Sequence, residues 1–100
     1  MKRGRLIYEK AQPLRGGWLA VSRIWAVPRS DRFPEGQKVS FTLLRVRDGL
    51  HERIYGIDNA HGIGLHEHFR GRVTSLGLLG VAGARCRFDE RVERLVGGRP

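Results

Sequence analysis

Cysteine, acidic residues and long apolar runs are all scarce in this sequence, and the shortage of two of them excludes whole classes of protein. The one cysteine, Cys86, cannot form an internal disulfide or a cysteine-based metal cluster, and we expect it to pack as a small hydrophobe near a helix. No stretch approaches the roughly 20 apolar residues of a membrane-spanning helix. The apolar run Leu6–Tyr8 is too short for the core of a signal peptide. We therefore expect a soluble, cytoplasmic protein with no membrane partner.

The shortage of acidic residues makes charge the strongest global feature of the chain. Nineteen Lys and Arg residues stand against ten Asp and Glu residues, which gives a net charge of +9. A positive field of this size attracts polyanions such as nucleic acid or an acidic protein partner. Sixteen of the nineteen bases are Arg, and a GC-rich genome can raise the Arg content without any binding role.

The length of 100 residues fits a single domain over residues 1–100. Strands are predicted where apolar, aromatic and β-branched residues lie between turn residues. These segments are Arg5–Ala11, Trp18–Val27, Lys38–Arg47 and Leu50–Asp58. The dipeptide Asp48-Gly49 between the last two is typical of a type I′ hairpin turn. Because no connection is long enough for a parallel crossover, the pattern predicts a four-stranded antiparallel meander.

The hydrophobic period changes toward the C-terminus. Phe88, Val92 and Leu95 fall at helical spacing, with charged residues between them. Three glycines at intervals of three precede them: Gly77, Gly80 and Gly83. Each Gly inside a helix costs about 1 kcal/mol relative to Ala, so we expect a helix interrupted by a loop. The prediction is an α+β fold, with a sheet over about residues 5–72 and one or two helices over about residues 73–97, packed on one face.

Three of the four histidines lie in one segment, Ile57–Phe69, with the sequence IDNAHGIGLHEHF. His66 and His68 are two residues apart, so in an extended chain both imidazoles face the same side. Gly62 and Gly64 permit backbone conformations that are closed to other residues. Successive backbone amides in such a turn can bind an anion.

Three chemistries fit this segment. Metal-free RNA cleavage would use histidine as acid and base, because its pKa lies near working pH, and arginine to stabilise the charge of the transition state. A metal site would use His66, His68 and either Asp58 or His61, with water completing the coordination. Simple anion binding would use arginines and backbone amides. Histidines also gather at polar, exposed hairpin ends that have no function at all.

The spacing of this segment resembles the signature of the TumE-type toxins of prokaryotic toxin–antitoxin modules. That signature is an Asp-Asn pair, two further residues and then Gly-x-Gly-x-His-x-His. The matching positions here are Asp58, Asn59, Gly62, Gly64, His66 and His68. Upstream, Ile24–Pro28 is similar to the family's Trp-x-x-Pro strand end, and downstream Phe88–Leu95 resembles its terminal helix. The family often has Lys, and then Asp or His, where this chain has Ile63 and Leu65.

The resemblance implies the toxin of a type II module, a metal-independent ribonuclease that inhibits growth, needs no cofactor and is neutralised by a helix-turn-helix antitoxin. His66 and His68 would be the acid–base pair acting on RNA, and Asp58 would orient one imidazole. Five residues are expected to bind phosphate or nucleic acid: Arg53, Arg70, Gly62, Gly64 and His61. Asn59 is expected to shape the turn.

A non-catalytic basic module that binds nucleic acid or docks the antitoxin is the alternative. A stacking platform for bases would need exposed aromatic side chains among Lys or Arg residues. Trp18, Trp25, Phe41 and Tyr55 alternate with aliphatic residues and fit a core, and only Tyr55, close to Arg53, comes near to such a platform. If this alternative holds, replacing the histidines would leave binding and growth inhibition unchanged.

Overall fold

The chain forms a six-stranded antiparallel sheet followed by one helix. The computed structural model describes residues 4–60, 64–77 and 79–97. The elements are β1 (Arg5–Leu14), β2 (Trp18–Ala26), β3 (Gln37–Arg47), β4 (Leu50–Asp58), β5 (His66–Phe69), β6 (Arg72–Ser75) and α1 (Gly80–Gly97). Every strand pairs antiparallel with its neighbour in the chain, in the spatial order β1-β2-β3-β4-β5-β6. The predicted α+β class and the antiparallel meander are confirmed.

The predicted number of four strands is wrong, because the histidine segment continues into a second hairpin. Strands β5 and β6 are four residues each and are joined by Arg70-Gly71. Both turn residues have positive φ, +53° and +76°, as a type I′ turn requires. The first of these positions usually holds Asn, Asp or Gly, so an Arg there gave no turn signal. Residues 73–75 are consequently strand rather than helix.

The β3–β4 hairpin follows the prediction closely. Asp48 and Gly49 have φ of +52° and +77°, which matches the type I′ turn expected from that dipeptide. Strand β1, by contrast, runs beyond its predicted end and includes Pro13. Proline is tolerated there because β1 is an edge strand with only β2 beside it.

Helix α1 packs over β3 and β4 on one face of the sheet, as predicted. The ring of Phe88 lies 5.7 Å from the rings of both Phe41 and Tyr55, and it stacks nearly parallel on Tyr55. The buried core consists of Val39, Phe41, Leu43, Tyr55, Ile57, Leu65, Ala84 and Phe88. Tyr55 is 0% exposed and belongs to the core, as its alternation with aliphatic residues predicted.

One uninterrupted helix, rather than two segments, follows the sheet from Gly80 to Gly97. Its first turn is capped from the β2–β3 loop, where a carboxylate oxygen of Glu35 accepts a hydrogen bond of 2.8 Å from the amide of Val81. A negative charge at this end also stabilises the helix dipole. Cys86 is exposed on α1 and not packed as predicted. Within the described residues, no helix is both long and apolar enough to cross a lipid bilayer.

Candidate active site

The pairing of β4 with β5 brings Asp58, His66 and His68 together. Asp58 lies directly opposite His66, and Gly56 lies opposite His68. Since alternate residues of a strand point to opposite faces, all three side chains lie on the sheet face away from α1. We call them the His–Asp–His cluster. Because Gly56 has no side chain, β4 places nothing beside the imidazole of His68.

The carboxylate of Asp58 contacts both imidazoles of the cluster. Nε2 of His66 lies 3.1 Å from Oδ1 of Asp58, and Nε2 of His68 lies 3.3 Å from Oδ2. The ring centroids of the histidines are 4.6 Å apart. Both contacts are short enough for ion pairs, although neither has the alignment of a good hydrogen bond. Asp58 can therefore act on both rings at once.

His66 is locked into this arrangement from both ends of its ring. Its Nδ1 lies 2.8 Å from the carbonyl oxygen of Gly64, and a carbonyl can only accept, so Nδ1 carries a proton and donates it. The contact of Nε2 with Asp58 is then attractive when Nε2 also carries a proton. The side chain is 1% exposed, so His66 does not reach solvent. Gly64 supplies this carbonyl from a turn in which its φ is +75°.

His68 is the accessible histidine of the cluster. Its side chain is 23% exposed, while its Nε2 is buried against Asp58. Burial lowers the pKa of His68 below its ordinary value, and the charges of Arg53 and His66 lower it further. Asp58 acts in the opposite direction but does not outweigh these effects. A lowered pKa keeps the ring neutral near pH 7, as a general base requires.

A β-bulge in β4 explains how Arg53 comes to join the cluster. The register with β3 shifts between Leu43 and Leu44, which leaves Ile54 as an extra residue. Without this residue, Arg53 would share the α1 face with Tyr55. Its Cδ instead lies 3.8 Å from the position that a Cβ would take on Gly56, on the face of the cluster. Bulges commonly redirect a side chain toward a site in this way.

Asn59 ties the end of β4 to the start of β3. Its Oδ1 accepts from the amide of Val39 at 2.9 Å, and its Nδ2 donates to the carbonyl of Gln37 at 2.9 Å. The amide of Ala60 donates to Oδ1 of Asp58 at 3.1 Å, and this bond fixes the orientation of the carboxylate. These bonds hold the end of β4, which carries Asp58, against the start of β3.

Arg70, which the sequence also predicted to bind phosphate, lies apart from the cluster. Arg70 is in the β5–β6 turn, with its guanidinium over the ring of Phe69 at 4.9 Å, and it lines a pocket beside α1. It is therefore not part of the His–Asp–His cluster. His61 and Gly62 lie outside the described residues.

The sequence reading missed a second polar group, on the α1 face of β5. Glu67 is 5% exposed, and its carboxylate receives two hydrogen bonds from Arg87, at 2.8 and 3.0 Å, and one from the hydroxyl of Tyr55, at 2.5 Å. The hydrogen bonds from Arg87 lower the pKa of Glu67, while burial and Glu67 raise the pKa of Tyr55. The sequence carried a signal for this group, because Glu67 lies between two histidines on a strand and must therefore face the opposite side from them.

The donor atoms of the cluster also suit a divalent metal ion. One ligand atom from each of Asp58, His66 and His68 lies within 4.8 Å of the others. A metal-bound histidine usually donates its second ring nitrogen to a carbonyl or carboxylate, as His66 does to Gly64. The same geometry thus serves either a proton or a metal ion, and the two uses are separable by experiment.

The fold and the cluster together define a small basic α+β protein with one partly exposed histidine on the sheet face away from α1. No family model, curated protein or solved structure matches the chain. A function has to be argued from the geometry of the site, the charge of the chain and the motif in its sequence.

Proposed function

We propose that this protein is the toxin of a type II toxin–antitoxin module and that it inhibits growth by cleaving RNA in the cytoplasm. The observation that carries the proposal is the accessible imidazole of His68 against a carboxylate, Asp58, that is itself fixed by buried His66. The net charge of +9 favours a polyanionic substrate. The resemblance of the Asp58–His68 motif to TumE-type toxins supports the class and a helix-turn-helix antitoxin as partner.

His68 is the general base in this proposal. The negative charge of Asp58, 3.3 Å from Nε2, favours the tautomer of His68 that carries its proton on Nε2, and in that tautomer Nδ1 has the free lone pair. Nδ1 takes the proton of a ribose 2′-hydroxyl, and the freed oxygen attacks the adjacent phosphorus. The bond from phosphorus to the 5′-oxygen then breaks, which leaves a cyclic phosphate and a 5′-hydroxyl. The leaving oxygen takes its proton from water, and His68 returns its own to solvent.

Arg53 stabilises the charge that develops on the phosphate in this step. The bulge places it on the face of His68, where its charge already acts on that ring. Fixed positive charge near a developing oxyanion stabilises the transition state more than the ground state.

His66 has a different role from His68, although the motif pairs them. A side chain that is 1% exposed cannot touch an RNA strand in this conformation. His66 instead positions Asp58 through its Nε2 and is itself held by Gly64. In this proposal one imidazole acts on the substrate rather than two, and the reaction uses neither a metal ion nor a cofactor.

The test uses the purified protein and two single-stranded oligonucleotides of the same sequence, one RNA and one fully 2′-deoxy. We expect the RNA alone to be cut, with cyclic phosphate and 5′-hydroxyl ends, and the rate to persist in EDTA. Cleavage of the deoxy strand would contradict the mechanism, because that strand has no attacking hydroxyl. Loss of cleavage in EDTA that Mn²⁺ or Zn²⁺ restores would show that the cluster acts through a metal ion. Tight RNA binding without cleavage would favour the non-catalytic module.

A further inference from the structure

A second basic site lies on the opposite face of β5 from the His–Asp–His cluster. A pocket of about 390 Å³ opens between α1 and the β5–β6 hairpin. Four arginines line it together with a hydroxyl and an aromatic ring: Arg70, Arg72, Arg87, Arg91, Thr74 and Phe69. The register places Arg72 opposite Phe69 and Thr74 opposite Glu67, so these side chains share the face that carries α1. We call this the arginine pocket.

The arginine pocket has excess positive charge that the protein itself does not neutralise. Its one acid, Glu67, is already bonded by Arg87 and by the hydroxyl of Tyr55. Four arginines against one glutamate leave a lining charge of +3. Across the described residues, Arg70, Arg72 and Arg91 form no ion pair.

The geometry of the arginine pocket suits a phosphate group of a nucleic-acid strand. Phe69 has the guanidinium of Arg70 4.9 Å from its ring centroid and that of Arg91 at 5.9 Å, which restricts both planar groups before any ligand arrives. Guanidinium groups bind phosphate through two parallel hydrogen bonds, and the hydroxyl of Thr74 adds a further donor. Arginines beside a half-buried aromatic ring are also the combination that single-stranded nucleic acid uses.

The position of the arginine pocket connects it to the proposed active site. Strand β6 is the edge of the sheet and lies directly beside β5. On this strand Ser75 faces the cluster side, opposite His66, whereas Thr74 faces the pocket, opposite Glu67. With strands about 4.8 Å apart, a nucleic-acid strand that crosses the β6 edge reaches both faces within a few nucleotides.

We propose that the arginine pocket binds a backbone phosphate of the RNA, so that the substrate crosses the β6 edge between the pocket and His68. This inference rests on the RNA-cleaving function proposed above. One face of β5 then provides affinity for the RNA, and the opposite face provides the residue that acts on it.

The test measures equilibrium binding of a fluorescent single-stranded RNA of about 12 nucleotides, a length within the range that such surfaces cover. Its riboses are 2′-O-methylated, so that the protein cannot cut it. The pocket variant is Arg72→Ala/Arg91→Ala, which spares the Arg87–Glu67 pair. The control variant, Arg15→Ala/Arg47→Ala, removes the same charge from exposed positions outside the pocket and the cluster. Thermal unfolding of both variants verifies that they fold.

We expect the dissociation constant of the pocket variant to rise about tenfold or more, and that of the control by less than about threefold. The dependence of log K on log salt should also become shallower, by about one to two, in the pocket variant alone. Equal losses in the two variants would overturn the pocket while leaving RNA as substrate. Competition by polyglutamate as strong as that by RNA would assign the pocket to an acidic protein segment and overturn the proposal. A wild-type protein that binds no RNA would overturn both this proposal and the proposed function.

Discussion

The two faces of strand β5 show how four consecutive residues serve two separate environments. On one face, His66 and His68 converge on Asp58 with ring nitrogens 3.1 and 3.3 Å from its oxygens. On the other, Glu67 is bonded by Arg87 and Tyr55 under α1. The first group leaves one ring partly open to solvent, whereas the second satisfies its charge internally. The difference separates a site suited to chemistry from a polar contact that holds the helix on the sheet.

The largest expected effect falls on the cluster side. Replacing His68 with Ala removes the accessible base, so we expect the rate of RNA cleavage to fall about 10²- to 10⁴-fold. His51, which is exposed near the start of β4, provides the matched control His51→Ala. Cleavage rates of the two purified variants make the comparison. Equal rates in both would remove His68 from the mechanism.

The next largest effect concerns the stability of the fold and depends on the Arg87–Glu67 contact under α1. Arg87→Met removes two hydrogen bonds from Glu67 and leaves the hydroxyl of Tyr55 as the remaining hydrogen-bond donor to that buried carboxylate among the described residues. Breaking a fully buried ion pair costs about 3–5 kcal/mol, but the side chain of Arg87 is 39% exposed, so we expect about 2–3 kcal/mol. Urea unfolding measures the loss against Arg94→Met, a substitution at an exposed position of the same helix. A loss no larger than that of the control would mean that the contact adds no stability.

The same pair makes a prediction about pH. Because Arg87 lowers the pKa of Glu67 in the folded protein, the pair stabilises the fold above the unfolded pKa of about 4.3. That stability is lost as pH falls through the lower pKa of the folded state. The difference in unfolding free energy between wild type and Arg87→Met should therefore be largest near neutral pH and shrink below about pH 4. A difference that stays constant down to pH 3 would contradict this origin.

The smallest expected effect concerns the pKa of His68 in the cluster. Arg53 is one of the charges that lower the pKa of His68, after burial. Arg53→Gln should raise that pKa, so the acidic limb of the pH–rate profile moves to higher pH, most clearly at low salt. Arg47→Gln, at an exposed position on β3, should leave the limb unmoved. A shift of the same size in both variants would mean that only net charge matters.

The sequence predicted those parts of the fold that strong local signals specify. Asp48-Gly49 identified the β3–β4 hairpin, because both residues readily adopt positive φ. The helical spacing of Phe88, Val92 and Leu95 identified the helix. The β5–β6 hairpin has the same kind of turn at Arg70-Gly71, but Arg is an uncommon first residue and the strands are short and polar, so local patterns did not reveal it.

The sequence predicted part of the geometry of the cluster but not the exposure of its side chains. Histidines two apart on a strand must share a face, which the structure shows for His66 and His68. Their different exposure, 1% and 23% of the side chain, is a property of the packed sheet that the local sequence pattern does not carry. The bulge at Ile54 that brings Arg53 to the cluster is likewise a matter of register, which depends on packing across strands rather than on local propensity.

The most direct test of the central claim is growth of a bacterial host after induced expression of wild type, His68→Ala and His51→Ala at equal soluble amounts. We expect growth to stop with wild type and with His51→Ala, and to remain normal with His68→Ala. Arrest with His68→Ala equal to that with wild type would contradict the claim that this histidine carries the toxic chemistry, and so would normal growth with all three proteins.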